Sequence, residues 1–173
     1  WLLNTSSGVV RAKTVINCAG LFGDLLEQNL LGESSFSIHP RKGHFVVFDT
    51  AAARYLTNIV LPVPHERTKG IVLTRTVYGN LLVGPTAEGQ EDRLHAGVDT
   101  EVLRQLVDAA VERIPALEGM PVTATYAALR PATEKKEYRV RRVDGKNWIT
   151  VGGIRSTGLT AALGIAKHVF GLY

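Results

Sequence analysis

The chain has 173 residues, a formal charge of +4 from 20 Lys and Arg against 16 Asp and Glu, and 45% hydrophobic residues. That length and apolar content suffice for one domain or two small lobes with a real core, and they exclude disorder as the main state. No run approaches the roughly 18–20 uninterrupted apolar residues of a membrane-spanning helix. A modest positive charge is no footprint for nucleic acid, and the single cysteine, Cys18, excludes an internal disulfide framework or a multi-cysteine zinc site. The setting expected is cytoplasmic, free or peripheral to a membrane.

Trp1 to Thr5 and Val9 to Asn17 read as two strands joined by the turn Ser6-Ser7-Gly8. The second ends in Cys18-Ala19-Gly20, which opens a helix predicted over 24–31 and stopped by Gly32. Short strands follow at His44–Phe48, Asn58–Leu61, Gly70–Thr74 and Asn80–Gly84, with a hairpin turn at Tyr78-Gly79-Asn80. Gly, Pro and charged residues separate them, as in an antiparallel sheet. Asp99 or Thr100 caps a helix in which Val102, Leu103, Leu106, Val107, Ala110 and Ile114 recur at helical spacing, and Pro115 ends it.

Thr123 to Leu129 is the next predicted strand, followed by a charged stretch that closes on the turn Asp144-Gly145. Within that stretch Lys135 to Arg142 is the densest basic run. Charges alternate there with Tyr138 and Val140, which fits a solvated edge segment better than a nucleic-acid patch. Trp148 to Val151 is a last strand, running into Gly152-Gly153-Ile154-Arg155-Ser156-Thr157-Gly158 and a helix over 159–170. Neither end reads as a natural terminus, so an excised fragment is expected. The expected fold class is α+β, an antiparallel β-rich lobe with helices inserted into a partial α/β lobe made by the two strand–glycine–helix ends.

Glycines that follow a buried strand let backbone approach a ligand closely, and unsatisfied N–H groups at a helix start favour an anion or an electron-rich carbonyl. Both ends of the chain have this design, at Ala19-Gly20 and at Gly152 to Gly158. His39 and His44 are candidates for a proton acceptor near neutral pH, with the choice between them open. Arg130 and Arg155 offer the planar fork that suits a carboxylate or phosphate. His65, His95 and His168 show no metal-ligand spacing and read as structural or exposed, no metal is expected, and Cys18 reads as a buried, inert thiol.

Three segments taken in order carry a resemblance: Thr14 to Gly20, Ala127-Ala128-Leu129-Arg130-Pro131, and Gly152 to Ala161. Together they resemble the C-terminal half of the FAD-dependent oxidoreductases of the D-amino-acid oxidase superfamily. Within it the likeness is to FAD-dependent glycerol-3-phosphate dehydrogenases and L-2-hydroxyglutarate oxidases, and it covers nearly the whole chain. The resemblance implies a partial FAD-binding lobe at 1–32 and 147–173 and a substrate-binding lobe at 33–146. It also implies hydride transfer from glycerol 3-phosphate or a small 2-hydroxy acid to FAD, with an electron-acceptor protein or a quinone as a further partner and no nucleic acid. An amine or amino-acid oxidase of the same superfamily, or a non-catalytic binding or docking module, are the alternatives.

Carried onto this sequence, the resemblance assigns Ala19 and Gly20 to the nucleotide side of FAD. It assigns Gly153, Ile154, Arg155, Ser156, Thr157, Gly158 and Leu159 to the flavin ring, and Arg130, Arg155 and Tyr126 to the substrate. The chain departs from the family in lacking the G-x-G-x-x-G fingerprint that holds the pyrophosphate, so this polypeptide alone is expected not to retain FAD. The glycerol-3-phosphate relatives carry lysine where Arg155 stands, which leaves the choice between phosphate and carboxylate open.

Overall fold

A computed structural model describes residues 1–63 and 70–173; His65 lies outside the described residues. In chain order the elements are β1 (Leu2–Thr5), β2 (Gly8–Arg11), β3 (Val15–Asn17), α1 (Gly23–Leu31), β4 (Ile38–Phe48), β5 (Val72–Arg75), β6 (Leu81–Gly84), β7 (Glu88–Gly89), α2 (Thr100–Arg113), β8 (Val122–Thr133), β9 (Arg139–Val143), β10 (Trp148–Gly152) and α3 (Gly158–Leu172). Single 3-10 turns occupy Gly20–Phe22, Thr50–Tyr55 and Pro115–Leu117. The chain divides into two compact units, one of residues 1–40 and 130–173 and one of residues 41–129. Residues 33–40 and 130–146, grouped with the β-rich lobe in the sequence reading, therefore pack with the two ends of the chain.

The first unit holds the hairpin β1–β2 and a three-stranded sheet in the order β3-β10-β9, with β3 parallel to β10 and β9 antiparallel to it. The strand expected at Val9–Asn17 is broken at 12–14. The Trp1 side chain meets Trp148 there with ring centroids 5.4 Å apart, and its indole N–H reaches the Lys146 and Asn147 carbonyls. Gly32 stops α1 in the left-handed conformation at φ 87°, its N–H bonded to the Gln28 carbonyl. The basic run that reads as an edge segment forms β9, an edge strand that pairs with all five residues of β10.

The second unit is an antiparallel sheet in the order β5-β6-β4-β7, with β8 also paired to β4. The strand expected at Asn58–Leu61 reduces to one bridge, Val60 with Leu73. Asp99 caps α2 by accepting the N–H groups of Glu101 and Val102. Along α2 the apolar stripe buries Leu106 and Ala110 against Val46, Phe48, Leu73, Leu81, Val83 and Leu117. Each such aliphatic or aromatic side chain contributes about 1.5–3 kcal/mol on burial, so this cluster gives the unit its own core.

Candidate functional site

In the first unit β3 and β10 run in parallel with Val15 opposite Trp148, Ile16 opposite Ile149 and Asn17 opposite Thr150. Parallel pairing in this register delivers both strand ends, and so both glycine turns, to the same edge of the sheet. At the end of β3 the buried Asn17 shapes the turn: its Oδ1 accepts the Ala19 N–H at 3.1 Å and its Nδ2 donates to the Gly23 carbonyl at 2.8 Å. Gly20 adopts φ 56°, and a Cβ there would meet nothing within 4 Å. At the end of β10 the glycines are held by packing. A Cβ on Gly152 would lie 2.9 Å from the Phe36 ring, and one on Gly153, at φ 65°, would lie 3.0 Å from Thr133 Cγ2.

Between these turns and α3 lies a cavity of about 810 Å³ with apolar walls, among them Ile16, Val151, Ile154, Ala162, Ile165 and Phe170. Ala19 and the residues 154, 155, 157 and 158 are half-buried, whereas Ser156 is exposed. Gly20, Gly153, Ile154 and Gly158 line the cavity. Cys18 lines it too and is exposed rather than buried. Asn17 turns inward on the strand, so its neighbour faces the opening. The apolar surroundings push the Cys18 thiol above its ordinary pKa, which disfavours the reactive thiolate.

The electrostatics of the loop are positive. Thr157 is the N-cap residue of α3, but it makes no side-chain cap, so the first-turn N–H groups and the partial positive charge of the helix start lack the acceptor an N-cap side chain would supply. Arg155 adopts φ 60°, outside the usual range for a side-chain-bearing residue. Its Nη2 donates to the Thr133 carbonyl at 3.2 Å and to the Lys135 carbonyl at 3.0 Å. Its Nε is buried and has no hydrogen-bond partner among the described residues.

The other sequence-predicted residues are distributed as follows. Arg130 is half-buried on β8. In the second unit Tyr126 stacks on Phe45 with centroids 4.8 Å apart, and partial burial pushes its phenol pKa up. His39 is exposed on β4. His44 is fully buried and committed: its Nε2 accepts the Asp99 N–H at 3.2 Å, and its Nδ1 lies 3.1 Å from both Thr86 Oγ1 and Glu88 Oε1. With Nε2 as acceptor, the assigned tautomer carries its proton on Nδ1. Among the described residues no group of three or more His, Cys, Asp or Glu side chains could hold a metal ion.

Two features escaped sequence reasoning. Glu27 is fully buried, accepting Ser34 Oγ at 2.9 Å, the Ser35 N–H at 3.3 Å and the Thr150 hydroxyl, with Arg141 Nη2 at 3.7 Å. The available signal was a glutamate on the side of α1 that also carries Asp24. The Tyr138 hydroxyl hydrogen-bonds Thr157 Oγ1, a contact across 19 residues for which the sequence holds no local sign.

Comparison with known proteins places this architecture. The family model described as FAD dependent oxidoreductase matches residues 1–172, and the chain belongs to that family. It is 32% identical to a glycerol 3-phosphate dehydrogenase of Caloramator mitchellensis, covering 95% of this chain and 34% of that protein. It is 33% identical to a glycine oxidase of Pseudomonas putida, covering 92% of this chain and 41% of that protein. Among solved structures it resembles the dithionite-reduced L-alpha-glycerophosphate oxidase of Mycoplasma pneumoniae with FAD bound, at a TM-score of 0.80 and 26% identity, over 92% of this chain and 42% of that one. The chain thus spans between about a third and under half of the length of these relatives.

Proposed function

We propose that this chain is the C-terminal part of a longer flavoenzyme that takes a hydride from glycerol 3-phosphate or a small 2-hydroxy acid. In this reading the first unit supplies the flavin contacts and also carries the substrate candidates Arg130, Arg155 and His39. The observation that carries it is the start of α3: an uncapped helix N-terminus on an apolar cavity of about 810 Å³, preceded by a loop in which Arg155 Nε is buried without a hydrogen-bond partner among the described residues. Apolar walls suit a flat aromatic ring, and the donors suit its electron-rich carbonyl edge, so the residues present fit FAD. When bound, FAD supplies the two-electron acceptor for the hydride.

The geometry supports the following contributions from the chain's own residues. Gly20 leaves open space at the cavity rim where the nucleotide side would lie, with Ala19 beside it. Gly153, Ile154, Ser156, Thr157, Gly158 and Leu159 present backbone to the ring, and the N–H groups of the α3 start favour negative charge building at its carbonyl edge. Arg130 is the residue proposed to bind the substrate anion, through its planar fork. Arg155 is the second proposed anion ligand, through the donors not spent on the Thr133 and Lys135 carbonyls. His39 is the histidine proposed to take the alcohol proton, because both ring nitrogens of His44 are engaged.

A second reading, an amine or amino-acid oxidase, is favoured by the identity to the glycine oxidase; its substrate carboxylate would use the same arginines. The deciding experiment records the visible spectrum of the full-length gene product anaerobically while adding glycerol 3-phosphate, 2-hydroxyglutarate and a panel of amino acids in turn. Bleaching of a flavin band by one of the first two supports the primary reading, and bleaching by an amino acid supports the second. A full-length product with no flavin band overturns both in favour of a non-catalytic binding module.

A further inference from the structure

Thr157 occupies the N-cap position of α3, and threonine there normally turns its hydroxyl onto an N–H of the first turn. Here it does not: the backbone at Thr157 is at φ −104° and ψ 8°, away from the extended conformation that capping needs, and no side-chain cap forms. Its hydroxyl instead donates to the Ile154 carbonyl at 3.3 Å and is hydrogen-bonded by the Tyr138 hydroxyl. A threonine hydroxyl has one proton. With that proton on Ile154, the Tyr138 phenol is the donor to Oγ1.

The placement of Tyr138 is fixed by the sheet. Arg139, the next residue, pairs with Gly152 in the β9–β10 ladder. The Glu137 carbonyl stands 3.3 Å from where a Cβ on Gly153 would be. Residues 137–139 are therefore laid against the turn that leads into α3.

We propose that Tyr138 is a positioning residue for the start of α3: by holding the Thr157 hydroxyl away from the helix, it keeps the first-turn N–H groups open for a ligand. This inference rests on the flavin reading above for the identity of that ligand. Without the phenol, Thr157 is released from this conformation: its backbone relaxes to the extended N-cap form and Oγ1 turns toward the N–H groups of Leu159 and Thr160, competing with the cofactor. An N-cap is worth about 1 kcal/mol, which corresponds to about a fivefold change in affinity.

The test measures FAD affinity of the full-length apoprotein by flavin fluorescence quenching for the wild type, Tyr138→Phe, Thr157→Val and the double variant. Tyr138→Phe keeps the ring and removes the hydroxyl. The expected result is FAD binding weakened about fivefold by Tyr138→Phe in the wild-type background, and no further effect of Tyr138→Phe in the Thr157→Val background, where no hydroxyl is left to cap. An equal loss in both backgrounds would mean that Tyr138 acts by packing alone and overturns the proposal, as would unchanged affinity in Tyr138→Phe. A wild-type protein that takes up no FAD overturns the flavin reading, and this inference with it.

Discussion

His44 on β4 accepts the backbone N–H of Asp99 at 3.2 Å, so a fully buried ring fixes the point where α2 begins. Its other nitrogen faces Thr86 and Glu88, which ties the ring to the segment leading into β7. One side chain thus joins a central strand, an edge strand and a helix start in the second unit.

Replacing His44 by Ala leaves the Asp99 N–H without its acceptor and opens a void in a closed site. The expected loss is about 2–3 kcal/mol, read by urea denaturation of the 173-residue chain. His44→Gln keeps some of the bonding and loses less. The alternative role as a proton acceptor in catalysis makes the opposite forecast, a stable His44→Gln variant with turnover abolished.

Acid weakens the fold in part through carboxylates held low in the folded state, among them Asp99 and Glu134. Backbone N–H groups of Val102 and Glu101 hold Asp99 below the usual carboxylate range. Glu134 is held low by its own backbone N–H, then by the Ser37 N–H and Arg139. Depressed folded-state values mean that the ionised forms stabilise the fold above about pH 4, and that this stability is lost as the pH falls through the depressed values. Asn caps a helix as well as Asp does. Asp99→Asn should therefore leave the melting temperature at pH 7 nearly unchanged while flattening its decline below about pH 4, and Glu134→Gln should flatten it further. A decline identical to wild type in both variants would assign the acid limb elsewhere.

The legible parts of the fold are those with local signals. Helices α1 and α2 show in the apolar period, the Gly32 stop and the Asp99 cap, all within a few residues of one another. Strand extent was not legible, because it depends on a distant partner. β4 starts at Ile38 and runs through Pro40 and Gly43, and β8 continues through Pro131 to Thr133, against the local preferences of those residues. At the site, the glycine turn and Arg155 were visible as residues. That Arg155 spends Nη2 on two carbonyls more than 19 residues earlier was not, since backbone acceptors have no sequence signature. Cys18 was misplaced because an apolar neighbourhood in sequence was taken for burial, whereas one side of β3 opens onto the cavity.

Glu27 is the buried charge whose loss the first unit tolerates least. Its carboxylate gathers Ser34, Ser35 and Thr150, and Thr150 in turn accepts the Trp148 indole N–H at 3.1 Å. Glu27→Ala strands these donors and the Arg141 charge and should cost about 3 kcal/mol. Glu27→Gln keeps the shape and part of the bonding and should cost less than half as much. Equal effects of the two variants on the denaturation midpoint would show that packing, rather than the hydrogen bonds, holds this corner.

Purified by itself, the 173-residue chain should be colourless. It spans 34% of the glycerol 3-phosphate dehydrogenase it matches, it lacks a G-x-G-x-x-G turn for the pyrophosphate, and α3 leaves Leu159, Leu163 and Phe170 at 94, 89 and 80% exposed. A cofactor gripped at one end only gains too little to offset its lost freedom. An absorption spectrum of the preparation decides it, and a yellow chain retaining FAD through gel filtration would contradict the expectation.

On the proposed function, substitution of Arg130 separates substrate binding from cofactor binding. It sits half-buried on β8 just before Pro131 and Ala132, and its proposed partner is the substrate's anionic group. In the full-length enzyme Arg130→Ala removes a charge-assisted, two-pronged contact worth roughly 1.5–3 kcal/mol, so kcat/KM for the anionic substrate should fall about 10- to 100-fold. The flavin band should stay at wild-type intensity, because the proposed cofactor contacts lie at Gly20 and along 153–159. Arg130→Lys keeps the charge without the fork and should recover only part of the loss. Steady-state kinetics beside the flavin-to-protein absorbance ratio tell the cases apart: unchanged kinetics remove Arg130 from the substrate site, and a parallel loss of flavin moves it to the cofactor.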